Sequence, residues 1–170
     1  MSDYLTRAQI LLNQSRDDQA EAELRKRLAE QPEDPVAHAL LALSLNGQGK
    51  MNEALHEARQ AIGFAPHLSF MHYVLAEVLH HNGRYEEAKT AVEEAIRLDP
   101  EEADYYGRLS SILLDLGKWK EAVDAAEQGL ACEPENVTCT NCRAIALIKL
   151  GRKIEAGESI ETALAHDPEN

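Results

Sequence analysis

The chain has 170 residues, a formal net charge of −13 and 5% aromatic residues. That charge excludes nucleic acid and anionic membrane surfaces as main partners, because neither phosphate-rich surface attracts an acidic protein. No run of about 18 or more apolar residues occurs, so no membrane-spanning helix is expected.

The chain is read as one domain, 1–170, written five times at a period of about 34 residues: 1–34, 35–68, 69–102, 103–136 and 137–170. The first unit is the most deviant. It carries Arg7 and Arg27 where the others mostly carry Leu and a small residue, and Ser15 where they carry Gly49, Gly83, Gly117 and Gly151. These departures read as a terminal cap. Asp34-Pro35 opens the second unit with an N-cap acid and a proline at the first helical position. The third unit shows the pattern plainly. Tyr73, Ala76, Leu79 and His80 recur at helical spacing, Asn82-Gly83 stops that helix, and Ala88, Val92, Ala95 and Ile96 mark a second helix closed by Asp99-Pro100. Alanine at positions such as Ala76 and Ala88 lets paired helices approach closely. The fourth unit repeats this with Tyr106, Leu109, Ser110, Leu113, Gly117, Trp119, Ala122, Ala126, Gly129 and Pro134. The fifth runs to Pro168 without a further helix, which is expected to leave Ile154, Ile160 and Leu164 partly uncovered. Three explanations stand: a fragment of a longer protein, self-association through this end, or tolerated exposure.

Five units with these landmarks in register resemble the tetratricopeptide repeat family over the whole chain. The resemblance implies an all-α fold, a right-handed superhelix of antiparallel helix pairs, and a scaffold that binds a peptide or helix of another protein in a concave groove. In that family the second, fifth, sixth, ninth, twelfth and thirteenth residues of each unit line the groove. Counted here, they include Leu40, Leu43, Phe70, Tyr73, Val74, Glu77, His80, His81, Arg108 and Asp115, with Ser2 and Asn46 among the rest. Leu40, Leu43, Phe70, Tyr73 and Val74 would form an apolar patch anchored by the two aromatics. Glu77, Asp104 and Asp115 add acidity, suiting a ligand with hydrophobic anchors and some Lys or Arg. The alternative is a structural module associating through its ends. The family's carboxylate-clamp pattern is absent: Ala39, Leu43, Val74 and Asp104 stand at its positions, and only Arg108 fits.

No catalytic constellation or cofactor motif is present, so the chain is not read as an enzyme. His72, His80 and His81 tempt a metal assignment, but His38 and His72 share one repeat position and read as helix-pair packing. His80 and His81 stand at groove positions instead. Cys139-x-x-Cys142 lies inside a helix with no second such pair, and reads as structural. Three cysteines and no signal peptide in Met1-Ser2-Asp3-Tyr4 argue for a reducing compartment, the cytoplasm.

Overall fold

In the computed structural model, residues 4–166 are described, with side chains through Glu161; Ser2, the Leu164 side chain and Pro168 lie outside the described residues. The helices are α1 (Tyr4–Asn13), α2 (Asp17–Glu30), α3 (Pro35–Gly47), α4 (Met51–Phe64), α5 (Ser69–His81), α6 (Tyr85–Leu98), α7 (Ala103–Asp115), α8 (Trp119–Cys132), α9 (Val137–Lys149) and α10 (Lys153–His166). Helix contacts group the chain into two compact units, Met1–Leu98 and Asp99–Asn170.

Within each pair the turn is made the same way. Gly49, Gly83, Gly117 and Gly151 take φ of 69–77°, the left-handed conformation that lets the chain reverse. The next residue then closes back on the helix: the N–H groups of Lys50, Arg84, Lys118 and Arg152 each donate to the carbonyl of Leu45, Leu79, Leu113 or Leu147 at 2.9 Å. The first unit keeps this turn without glycine. Ser15 takes φ 55°, and the Arg16 N–H donates to the Leu11 carbonyl at 2.9 Å. The replacement read in the sequence changes the residue and not the geometry.

Helix starts follow their local chemistry. Asp34 Oδ1 accepts from the Val36 and Ala37 N–H groups at 3.0 and 3.1 Å, and α3 begins at Pro35. Asn136 accepts from the Cys139 N–H and opens α9.

The core of unit Met1–Leu98 lies between α1/α2, α3/α4 and α5/α6, which pack pair on pair. Its alanines Ala8, Ala20, Ala42, Ala54, Ala58, Ala76 and Ala88 are fully buried, with Leu24, Leu41, Leu45, Met71 and Val78 filling the wider gaps. This is the thin helix-on-helix packing that a small side chain permits.

In unit Asp99–Asn170, α7/α8 packs on α9/α10 around Leu113, Ala122, Val123, Ala125, Ala146, Leu147 and Ala156. The Ser110 hydroxyl donates to the Ala122 carbonyl at 2.7 Å. Gly129 is needed by its neighbours: a Cβ there would collide with Cys139 Sγ and come within 3.0 Å of Tyr106 Cβ. A Cβ on Gly107 would stand 3.0 Å from Thr138.

Candidate functional site

The first helices of unit Met1–Leu98 carry most of the side chains singled out in the sequence. On α3, Leu40 is buried and Leu43 half-buried. On α5, Val74 is fully buried, while Phe70 and Tyr73 are half-buried, one helical turn apart. Leu40 and Val74 therefore act in helix packing, and Leu43, Phe70 and Tyr73 keep apolar surface accessible. The Phe70 and Tyr73 rings stack with centroids 6.4 Å apart and planes 25° apart. Stacking of this kind holds both rings in one orientation. The Tyr73 hydroxyl donates to Glu77 Oε1 at 3.2 Å. Glu77 is buried, so the Tyr73 hydroxyl is tied to a carboxylate set below the surface.

The end of α5 is joined to α3 by polar contact. The Asn46 amide meets His81 Nδ1, and Asn46 is buried although His81 is exposed. The His80 ring lies 6.3 Å from His81, nearly parallel, and meets Tyr85 edge-on at 5.6 Å. The histidines thus form a layered edge at the end of α5, fixed by Asn46 and Tyr85.

In unit Asp99–Asn170, α7 carries Arg108, half-buried, and Asp115, exposed at the last turn.

His72 does not join His80 and His81. Its Nε2 bonds the Pro66 carbonyl at 2.9 Å, as His38 Nε2 bonds the Pro32 carbonyl at 2.8 Å. Tyr106 does the same to the Pro100 carbonyl at 3.0 Å. The fourth residue of these units closes the preceding proline turn. The sequence reading recognised a shared position but missed this partner; the recurring six-residue interval from Pro32 to His38, Pro66 to His72 and Pro100 to Tyr106 was the signal. His38 is further fixed by Glu57 Oε2 at 2.6 Å and by stacking on Phe64. Among the described residues, no three His, Cys, Asp or Glu side chains converge as metal ligands would.

The cysteines have structural surroundings. Cys139 and Cys142 are free and buried. The Cys139 thiol donates to the Ala103 carbonyl at 3.5 Å, and burial pushes its pKa up to about 12. Burial also raises Cys142. Neither thiol is poised to ionise, so nucleophilic exchange is suppressed at both.

The α9/α10 end shows a mixed outcome. Ile160 is 44% exposed, whereas Leu24, Ala58, Val92 and Ala126 at its repeat position are all fully buried. Ile154 is 81% exposed, but Asp18, Asn52, Glu86 and Lys120 at its position are exposed or half-exposed as well. Ile154 lies on a face that is solvated in every pair, so an extra helix is not what it lacks.

Comparison with known proteins agrees with this architecture. A family model described as subunit 3 of the anaphase-promoting complex, or cyclosome, matches residues 13–95, and one described as tetratricopeptide repeat matches residues 73–137. Comparison with curated proteins finds no match. Among solved structures, a thermophilic TPR protein of Thermus thermophilus is 24% identical with a TM-score of 0.87, over 99% of this chain and 92% of that one. PilF of Pseudomonas aeruginosa is 24% identical with a TM-score of 0.86, over 98% of this chain and 76% of that one. YrrB, described as a TPR protein with an unusual peptide-binding site, is 16% identical with a TM-score of 0.70, over 98% and 86%. At these identities the likeness is one of fold. The repeat positions, the left-handed turns, the paired helices and these matches converge: the chain is a tetratricopeptide-repeat protein.

Proposed function

We propose that this protein is an interaction scaffold that holds a peptide or helix of another protein against the first helices of its repeats, with Phe70 and Tyr73 as anchors. The observation that carries the reading is the stacked, half-buried pair of rings, with the Tyr73 hydroxyl bonded to Glu77. Rigid aromatics contribute binding area at small entropic cost. The tetratricopeptide fold generally supports protein–protein interaction and is generally non-enzymatic, and YrrB is described as having a peptide-binding site. With a net charge of −13, the ligand that fits best carries apolar anchors flanked by Lys or Arg. The unbroken period favours all five pairs acting as one domain. The thiols in Cys139 and Cys142 fit a reducing cytoplasm.

The test is affinity capture from the source lysate with wild type beside Phe70→Ala/Tyr73→Ala, after circular dichroism shows both folded. Binding of the captured segment, remade as a synthetic peptide, is expected to fall at least about tenfold in the double variant and to weaken as salt rises. Equal binding by both proteins moves the site elsewhere.

A second reading rests on Ile160. Its exposure, at a position buried in the other four pairs, favours association through the α9/α10 end.

A further inference from the structure

The repeat register says which surface would cover Ile160. At the other end, Ile10 on α1 is 51% exposed, yet Ser44, Val78, Ile112 and Ala146 at its repeat position are fully buried. This position faces the preceding pair: the Ser44 hydroxyl donates to the Asp17 carbonyl of α2 at 2.7 Å. Ile10 and Ile160 thus lie on the two complementary halves of one recurring junction, the first on the half that receives a preceding pair, the second on the half that receives a following one.

Charge repeats the same register. At the junction of α8 and α9, Arg143 bonds Glu127 of the preceding pair at 3.1 Å while also reaching Ser159 of its own pair. Arg7 stands at the position of Arg143, Glu23 at that of Ser159, and Glu161 at that of Glu127. Arg7 makes the contact within its own pair, with Glu23 at 3.5 Å, and remains 66% exposed. Glu161 is exposed on α10. A shallow hollow of about 450 Å³ beside Ile10, lined also by Arg7, Leu11, Gln14 and Gln19, offers the seat for an apolar side chain.

We propose that the α9/α10 end of one copy docks on the α1/α2 end of a second copy, covering both Ile10 and Ile160 and pairing Glu161 with Arg7, as Glu127 pairs with Arg143. This deepens the end-association reading and rests on it. The contact is heterologous, so it propagates into a ring or a filament and does not stop at a two-fold dimer.

Two blocked chains test it. Ile10→Lys disables the receiving end and Ile160→Lys the docking end, and analytical ultracentrifugation from about 1 μM to 1 mM covers weak association. Wild type is expected to grow beyond a dimer with concentration, each variant alone to stay monomeric, and their equimolar mixture to give a 1:1 dimer and nothing larger. Monomeric wild type throughout overturns both the head-to-tail contact and the end-association reading. An Ile10→Lys chain that still dimerises overturns the head-to-tail contact and leaves association through α9/α10 standing. Should either isoleucine variant unfold, Arg7→Glu and Glu161→Arg take its place. Each alone should weaken association at least about tenfold, and mixing the two should restore growth beyond a dimer in alternating copies, because every contact between unlike chains then pairs an acid with a base. No rescue by the mixture overturns the proposal.

Discussion

Ser15 is the residue at which the repeat departs from its own rule while the backbone obeys it. A side chain held at φ 55° costs about 1–2 kcal/mol that glycine avoids. Ser15→Gly is therefore expected to stabilise the protein by about 1 kcal/mol, raising its thermal midpoint by about 2–4 °C. An unchanged or lower midpoint in differential scanning calorimetry would show that the serine is compensated locally. The positive-φ turns were legible because glycine recurred at a fixed place, and the N-cap at Asp34 because acid and proline stood together. Leu40 and Val74 were not separable from Leu43 and Phe70, because family position alone does not say how far a side chain sinks between two helices. Ile154 was legible and was misread, since Asp18, Asn52, Glu86 and Lys120 at its repeat position are all polar.

At the scale of the element, α2 is tied to the α3–α4 turn by a single carboxylate. Glu21 accepts from Gln48 at 2.8 Å, from Lys50 at 3.0 Å and from Arg25 at 2.7 Å. The Gln48 hydrogen bond, with those of Lys50 and Arg25, outweighs burial and holds the Glu21 pKa at about 2, below its ordinary 4.5. A depressed carboxylate stabilises the folded state fully above pH 4.5, and that contribution disappears as pH falls through about 2. Glu21→Gln should cost about 1–2 kcal/mol at pH 7, with the gap to wild type closing between about pH 4 and pH 2 in urea titrations. A gap independent of pH would mean that shape at this turn matters and charge does not. The helix pairs themselves were the most legible feature of the sequence, since period, turn and proline all agreed. The Glu21 contacts were not, because their partners lie 27 and 29 residues away, in the next pair.

The whole molecule carries 30 acidic against 17 basic side chains, and many of the bases are paired with near neighbours, as in Arg84–Glu87, Arg97–Glu94 and Arg152–Glu155. The remaining acidity repels itself. Raising sodium chloride from about 20 mM to about 500 mM at pH 7 is expected to raise the thermal midpoint, because screening weakens that repulsion more than it weakens short ion pairs. A falling midpoint would show that the surface pairs dominate. Within each compact unit, among the described residues, the helices that pack together are never more than two apart in the chain. Within either unit, a nascent chain leaving the ribosome can therefore seat a later pair on the one just finished, without holding apolar surface open for a segment still to be translated.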